Sequence, residues 1–120
     1  MKFNLEEYDT VESRIHKFYE DHADGAIVTE LASDPNNIGE VALFMASVLI
    51  GGILKATGYA MELRDMEMSV GKYGQEYASV NYSSWVENAE TSAIGRALAN
   101  AGYSGNKRAS REEMQKGERS

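Results

Sequence analysis

No cysteine occurs in the 120 residues, and only one proline, one tryptophan and two histidines do. Without cysteine there is no disulfide framework and no thiolate metal site. That suits a reducing compartment, and the cytoplasm is the expected location. The opening MKFNLEEYD carries acids where a signal peptide needs an apolar run, so no export signal is expected. The longest apolar stretch, Val41 to Leu54, is broken by Ser47, Gly51 and Gly52 and is too short to span a bilayer. No membrane partner is expected from it. The length suits one domain with its own core.

Catalytic patterns are also missing. The glycines lack the spacing and the lysine of a phosphate loop, and they form no dinucleotide fingerprint. No GxSxG nucleophile elbow occurs. His16 and His22 are six residues apart and fall on different faces of a helix. His22 with Asp24 supplies two metal ligands where a site needs more. Glu87, one turn from Glu90, reads as a cap, and Glu90 as part of a salt link or a solvated face, rather than the two as an acid–base pair. Nothing assembles base, nucleophile and oxyanion donor. The chain is therefore expected not to be an enzyme and to carry no metal or cofactor.

Positive charge is scarce, but unevenly so. The net charge is -7. Residues 1–34 hold three basic and nine acidic side chains, residues 35–95 three and seven, and residues 96–120 six and three. Arg96, Lys107, Arg108 and Arg111 lie in a stretch with no acid. An acidic body with a basic end marks an interaction surface, or else a solvated tail without a partner.

What is present gives an α+β pattern. Val11, Ile15, Phe18 and Tyr19 form one helical stripe over 10–22, with Asp9 and Glu12 spaced as a capping box. Three strands follow, over 26–33, 39–50 and 53–63. Asp34-Pro35-Asn36-Asn37 forms the first turn and Gly51-Gly52 the second. The third strand places Ile53, Thr57, Tyr59, Met61 and Leu63 on one face, and the small set Leu54, Ala56, Gly58 and Ala60 on the other. Residues 64–82 read as a long loop with room for a fourth strand over 77–80. A second helix is capped by Ser84 with Glu87 and stopped by Gly102. Its ridge of Ala89, Ala93, Ala97 and Ala101 matches the small face of the third strand. Gly95 in its interior costs about 1 kcal/mol, so it marks close packing or the approach of a ligand backbone. The expected fold is an antiparallel three- to four-stranded meander flanked by the N-terminal helix and packed by the C-terminal helix. One domain covers 1–103, and 104–120 forms a basic, flexible tail.

Single-strand binding without sequence readout needs cations along a groove and aromatic faces for bases. Tyr73, Tyr77, Tyr82 and Trp85 precede the second helix, with Lys72 among them. Tyr103 follows it, before Lys107, Arg108 and Arg111. Core packing is the competing explanation for each aromatic, and for Trp85 it is at least as good. The loop itself has too few aliphatics to make a core.

The run Glu87 to Gly102, ENAETSAIGRALANAG, resembles the signature helix of the single-strand annealing superfamily. That superfamily includes the phage Sak-type and Erf-type proteins and the eukaryotic recombination mediator. Thr91, Ile94, Arg96, Ala97, Leu98 and Gly102 match in register, and Ala56 to Ala60 resembles the family's third strand. The chain also resembles small single-stranded-DNA-binding proteins of actinobacteriophages, over most of residues 10–115. It departs from the superfamily at Gly95 and Ala99, where basic residues are usual, and so keeps one charge of the helix cluster. The resemblance implies binding of single-stranded DNA, with strand annealing, in phage replication or recombination within the host cytoplasm. It implies Arg96 on phosphate, loop tyrosines on bases, and a homo-oligomer, ring or filament, working with recombination or replication proteins. The rival expectation is a protein-interaction module whose basic tail docks an acidic replication or recombination partner.

Overall fold

A computed structural model describes residues 10–104. Helix α1, Val11–Asp21, is followed by strands β1, Gly25–Leu31, β2, Val41–Ile50, and β3, Ile53–Leu63. A two-stranded hairpin of β4, Ser69–Val70, and β5, Glu76–Tyr77, comes next, then a helical turn α2, Val80–Ser83, and the long helix α3, Trp85–Asn100. The sheet is an antiparallel meander in the order β1-β2-β3. The α+β fold thus has the element order that the sequence pattern gives. Among the described residues no helix is long and apolar enough to cross a membrane, and no group of His, Asp or Glu could hold a metal ion.

Several local expectations are corrected. Thr10, not Asp9, caps α1, its hydroxyl accepting from Ser13 N at 3.1 Å; Asp9 lies outside the described residues. The Asp34 carboxylate accepts from Asn36 N at 2.9 Å and tightens Pro35–Asn37 into a 3-10 turn. Ser84 makes no side-chain cap to α3; it sits at φ -135°, ψ 36°, outside the extended geometry of a cap, and closes α2, its N–H donating to Val80 O at 2.7 Å. The extra strand does not join the sheet: β4 and β5 pair only with each other. A bulge between Val48 and Leu49 pairs Leu49 with Leu54, which shifts Leu54 off the small face. Gly51 and Gly52 both take positive φ, 60° and 77°, as a primed hairpin turn requires.

The core lies between the sheet and α3. Ala89, Ala93, Ala97 and Leu98 from the helix are fully buried, as are Ala42, Ala46 and Val48 of β2 and Phe18 of α1. Small residues let the helix sit close. A Cβ on Gly58 would collide with the backbone of Ala93 and Ala97 and lie 2.8 Å from the Arg96 Cβ. Gly102, at φ 99°, ends α3, and Tyr103 N donates back to Leu98 O at 2.8 Å.

Candidate nucleic-acid interface

The hairpin is built to present its tip. Gly71 N donates to Gln75 O at 2.7 Å and Gly74 N to Gly71 O at 3.1 Å, closing the turn that carries Lys72 and Tyr73. Tyr73 is 85% exposed, and the Lys72 ammonium stands 5.7 Å from its ring centroid. Tyr77 on β5 is also more than half exposed. A cation beside one open aromatic ring, with a second open ring on the neighbouring strand, is a pairing that can hold a base and its phosphate. At the hairpin's foot, Ser79 Oγ donates to the Asp65 carboxylate at 2.5 Å, and Asp65 N to Asn81 O at 2.8 Å. These bonds root the projection on the end of β3 and the start of α2.

Arg96 stands on α3 above β3, exposed and with no acid partner among the described residues. Neither carboxylate of α3 pairs with it. Glu90 accepts from the Thr29 hydroxyl at 2.7 Å and ties α3 to β1, and Glu87 is exposed in the first turn. Arg96 lies eleven residues past the start of α3, about 16 Å along the axis, on a different element from Lys72.

Tyr82 and Tyr103 are engaged in the fold. The Arg64 guanidinium lies 4.7 Å from the Trp85 ring centroid and 5.6 Å from that of Tyr82, and its Nε donates to Tyr82 O at 3.2 Å. Trp85 Nε1 donates to Ile38 O at 2.6 Å. Trp85 is therefore a packing residue that fixes the start of α3. Tyr103 meets Phe18 edge-on at 5.7 Å and donates its hydroxyl proton to Asp21 at 2.7 Å. That bond, with smaller contributions from burial and the Asp21 charge, holds its phenol above the usual pKa. Lys107, Arg108 and Arg111 lie outside the described residues.

Sequence reasoning missed two arginines. Arg64 is the cation between two rings just described. Arg14 reaches from α1 to α3, where one terminal nitrogen donates to Gly95 O at 3.2 Å and to Tyr103 O at 3.0 Å. Its buried Nε has no partner among the described residues. This contact also accounts for Gly95: a Cβ there would lie 3.1 Å from Arg14 and from Val11. Gly95 makes room for α1, not for a sugar–phosphate backbone beside Arg96. The spacing of Tyr82 and Trp85, one helical turn apart, is the only local signal for the Arg64 site. Arg14 has none, since its partners are more than eighty residues away.

Residues 15–101 match a family model described as Slr1353 N-terminal dsRNA-binding domain-like. No curated protein and no solved structure matches the chain.

Proposed function

Because the chain belongs to the family described as Slr1353 N-terminal dsRNA-binding domain-like, we propose that it binds nucleic acid, and that its preferred form is single-stranded DNA. The observation that carries this reading is the hairpin tip, where Lys72 stands beside the open ring of Tyr73, with Tyr77 exposed on β5. Bases stack on such rings whatever their identity, so binding is independent of sequence. Arg96 adds a phosphate contact on α3, where its planar fork suits phosphate better than lysine does.

The family description points to duplex RNA as the second reading. Duplex RNA is held by shape, through contacts to two successive minor grooves and the phosphates between them. On α3 the only cation is Arg96, and it shares the helix with Glu87 and Glu90. A face with so little positive charge favours the ligand whose binding leans on stacking. The resemblance to annealing proteins adds the process, replication or recombination of phage DNA, and the working form, a homo-oligomer.

Fluorescence titration tests the reading with oligo-dT, duplex DNA and duplex RNA of equal length. Oligo-dT is expected to bind best, with an affinity that falls as salt rises, by a log–log slope of about -0.7 per phosphate neutralised. Stronger binding of duplex RNA favours the second reading. No binding of any of the three refutes both.

A further inference from the structure

Among the described residues, no element covers the side of the sheet away from α3, and its central rows are apolar. The register aligns Val41 with Leu63, Leu43 with Met61 and Met45 with Tyr59. These six side chains alternate with the buried Ala42 and Ala46, so they share the open face. Tyr59, Met61 and Leu63 are each more than half exposed. Next to them β1 aligns Val28 with Ser47, and Glu30 with Met45.

We infer that this face is where two copies of the chain pack, sheet against sheet. The charge distribution selects the occupant. Each copy carries -7 overall, so like copies repel over most of their surface, and a basic or acidic partner would dock on charge. The rows Val41–Leu63, Leu43–Met61 and Met45–Tyr59 hold no charged residue; beside them stand Glu30 on β1 and, at the bulged end of β3, exposed Lys55, of opposite sign. Here two acidic copies can approach without opposing charges.

The area agrees with a weak association. The three strands hold 7, 10 and 11 residues; at about 3.3 Å per residue and about 4.8 Å between strands they give a footprint of roughly 440 Å² per copy. Two such faces bury about 900 Å², close to the roughly 1,000 Å² at which specific interfaces begin. Edge pairing, the other route to assembly, is partly closed. Ile27 N on β1 donates to the Tyr19 hydroxyl at 3.1 Å, and Thr57 O on β3 accepts from Asn100 at 2.7 Å. A side chain from a helix thus occupies the middle of each outer strand. The inference does not rest on nucleic-acid binding: Arg96 stands on α3, on the opposite side of the sheet.

Met45 makes the sharpest test, because β2 is central and its backbone takes part in no edge pairing. Sedimentation of the full chain at tens of micromolar is expected to show a dimer without DNA. Met45→Glu and Tyr59→Glu each place a charge in the buried face and are expected to weaken the dimer at least tenfold, about the least that an unpaired buried charge costs. Far-UV circular dichroism checks their folding; Tyr59→Glu, at an exposed position, keeps the test open if Met45→Glu unfolds. Arg96→Ala is expected to leave the dimer intact. A monomeric parent chain overturns the inference, and so does a folded Tyr59→Glu that stays dimeric. If the parent is monomeric and Tyr59→Glu loses oligo-dT binding, the face serves nucleic acid instead.

Discussion

On the side of the sheet under α3, β2 carries Ala42, Phe44, Ala46 and Val48, and β3 carries only the small Ala56, Gly58 and Ala60. On the other side the same strands carry Val41, Leu43, Met45, Tyr59, Met61 and Leu63. On β3 size runs opposite to burial: Ala56, Gly58 and Ala60 lie under the helix, whereas Tyr59, Met61 and Leu63 are each more than half exposed. The covered side is settled by distance: α3 approaches so closely that Gly58 has no room for a Cβ. The open side carries the area that a second layer would bury. One face was shaped by a helix of the same chain, and the other suits a layer from outside it.

Changes at the covered face should do the most damage. Gly58→Val drives a branched side chain into the α3 backbone and is expected to cost about 3 kcal/mol, read as a lower urea midpoint with unchanged slope. Arg14→Ala releases α1 from the end of α3 and leaves the Gly95 and Tyr103 carbonyls without that donor. The expected loss is about 2 kcal/mol, measured in the same melts.

Tyr103→Phe acts on the same seam with a smaller effect, and it carries a pH signature. The phenol's pKa in the folded chain is raised, first by its bond to Asp21. Its contribution is therefore full below the unfolded value of about 10 and is lost as pH rises through the folded value. Thermal melts across that range should show a stability drop in the parent that Tyr103→Phe lacks. The smallest effect is expected on the open face. Tyr59→Thr, melted at concentrations too low for association, should shift stability by no more than about 0.5 kcal/mol. A large loss there would mean that the face already has a cover within the chain.

The covered face was legible in the sequence because local rules agree there. The alanine ridge of α3 and the small residues of β3 each have a clear period, and their match predicts the contact. The Gly51-Gly52 turn and the Gly102 stop were legible for the same reason. The phase of Leu54 was not, because a bulge shifts the alternation and leaves no mark in composition. Residues 64–82 carry no period, so β4 pairing with β5 alone was not foreseen. At the candidate site the exposure of Lys72, Tyr73 and Tyr77 followed from a segment too poor in aliphatics to bury them. Tyr82 and Tyr103 have the same composition around them but meet Arg64, Phe18 and Asp21, partners that only the fold brings near.

The hairpin claim has the most direct test. Tyr73→Ala with Tyr77→Ala removes both open rings while leaving the core and Arg96 untouched. Oligo-dT titration of this variant beside the parent, at one salt concentration, is expected to show a loss of about 2–4 kcal/mol for two stacked bases, with an unchanged melting temperature. An affinity equal to the parent's, in a variant that melts normally, would contradict the account.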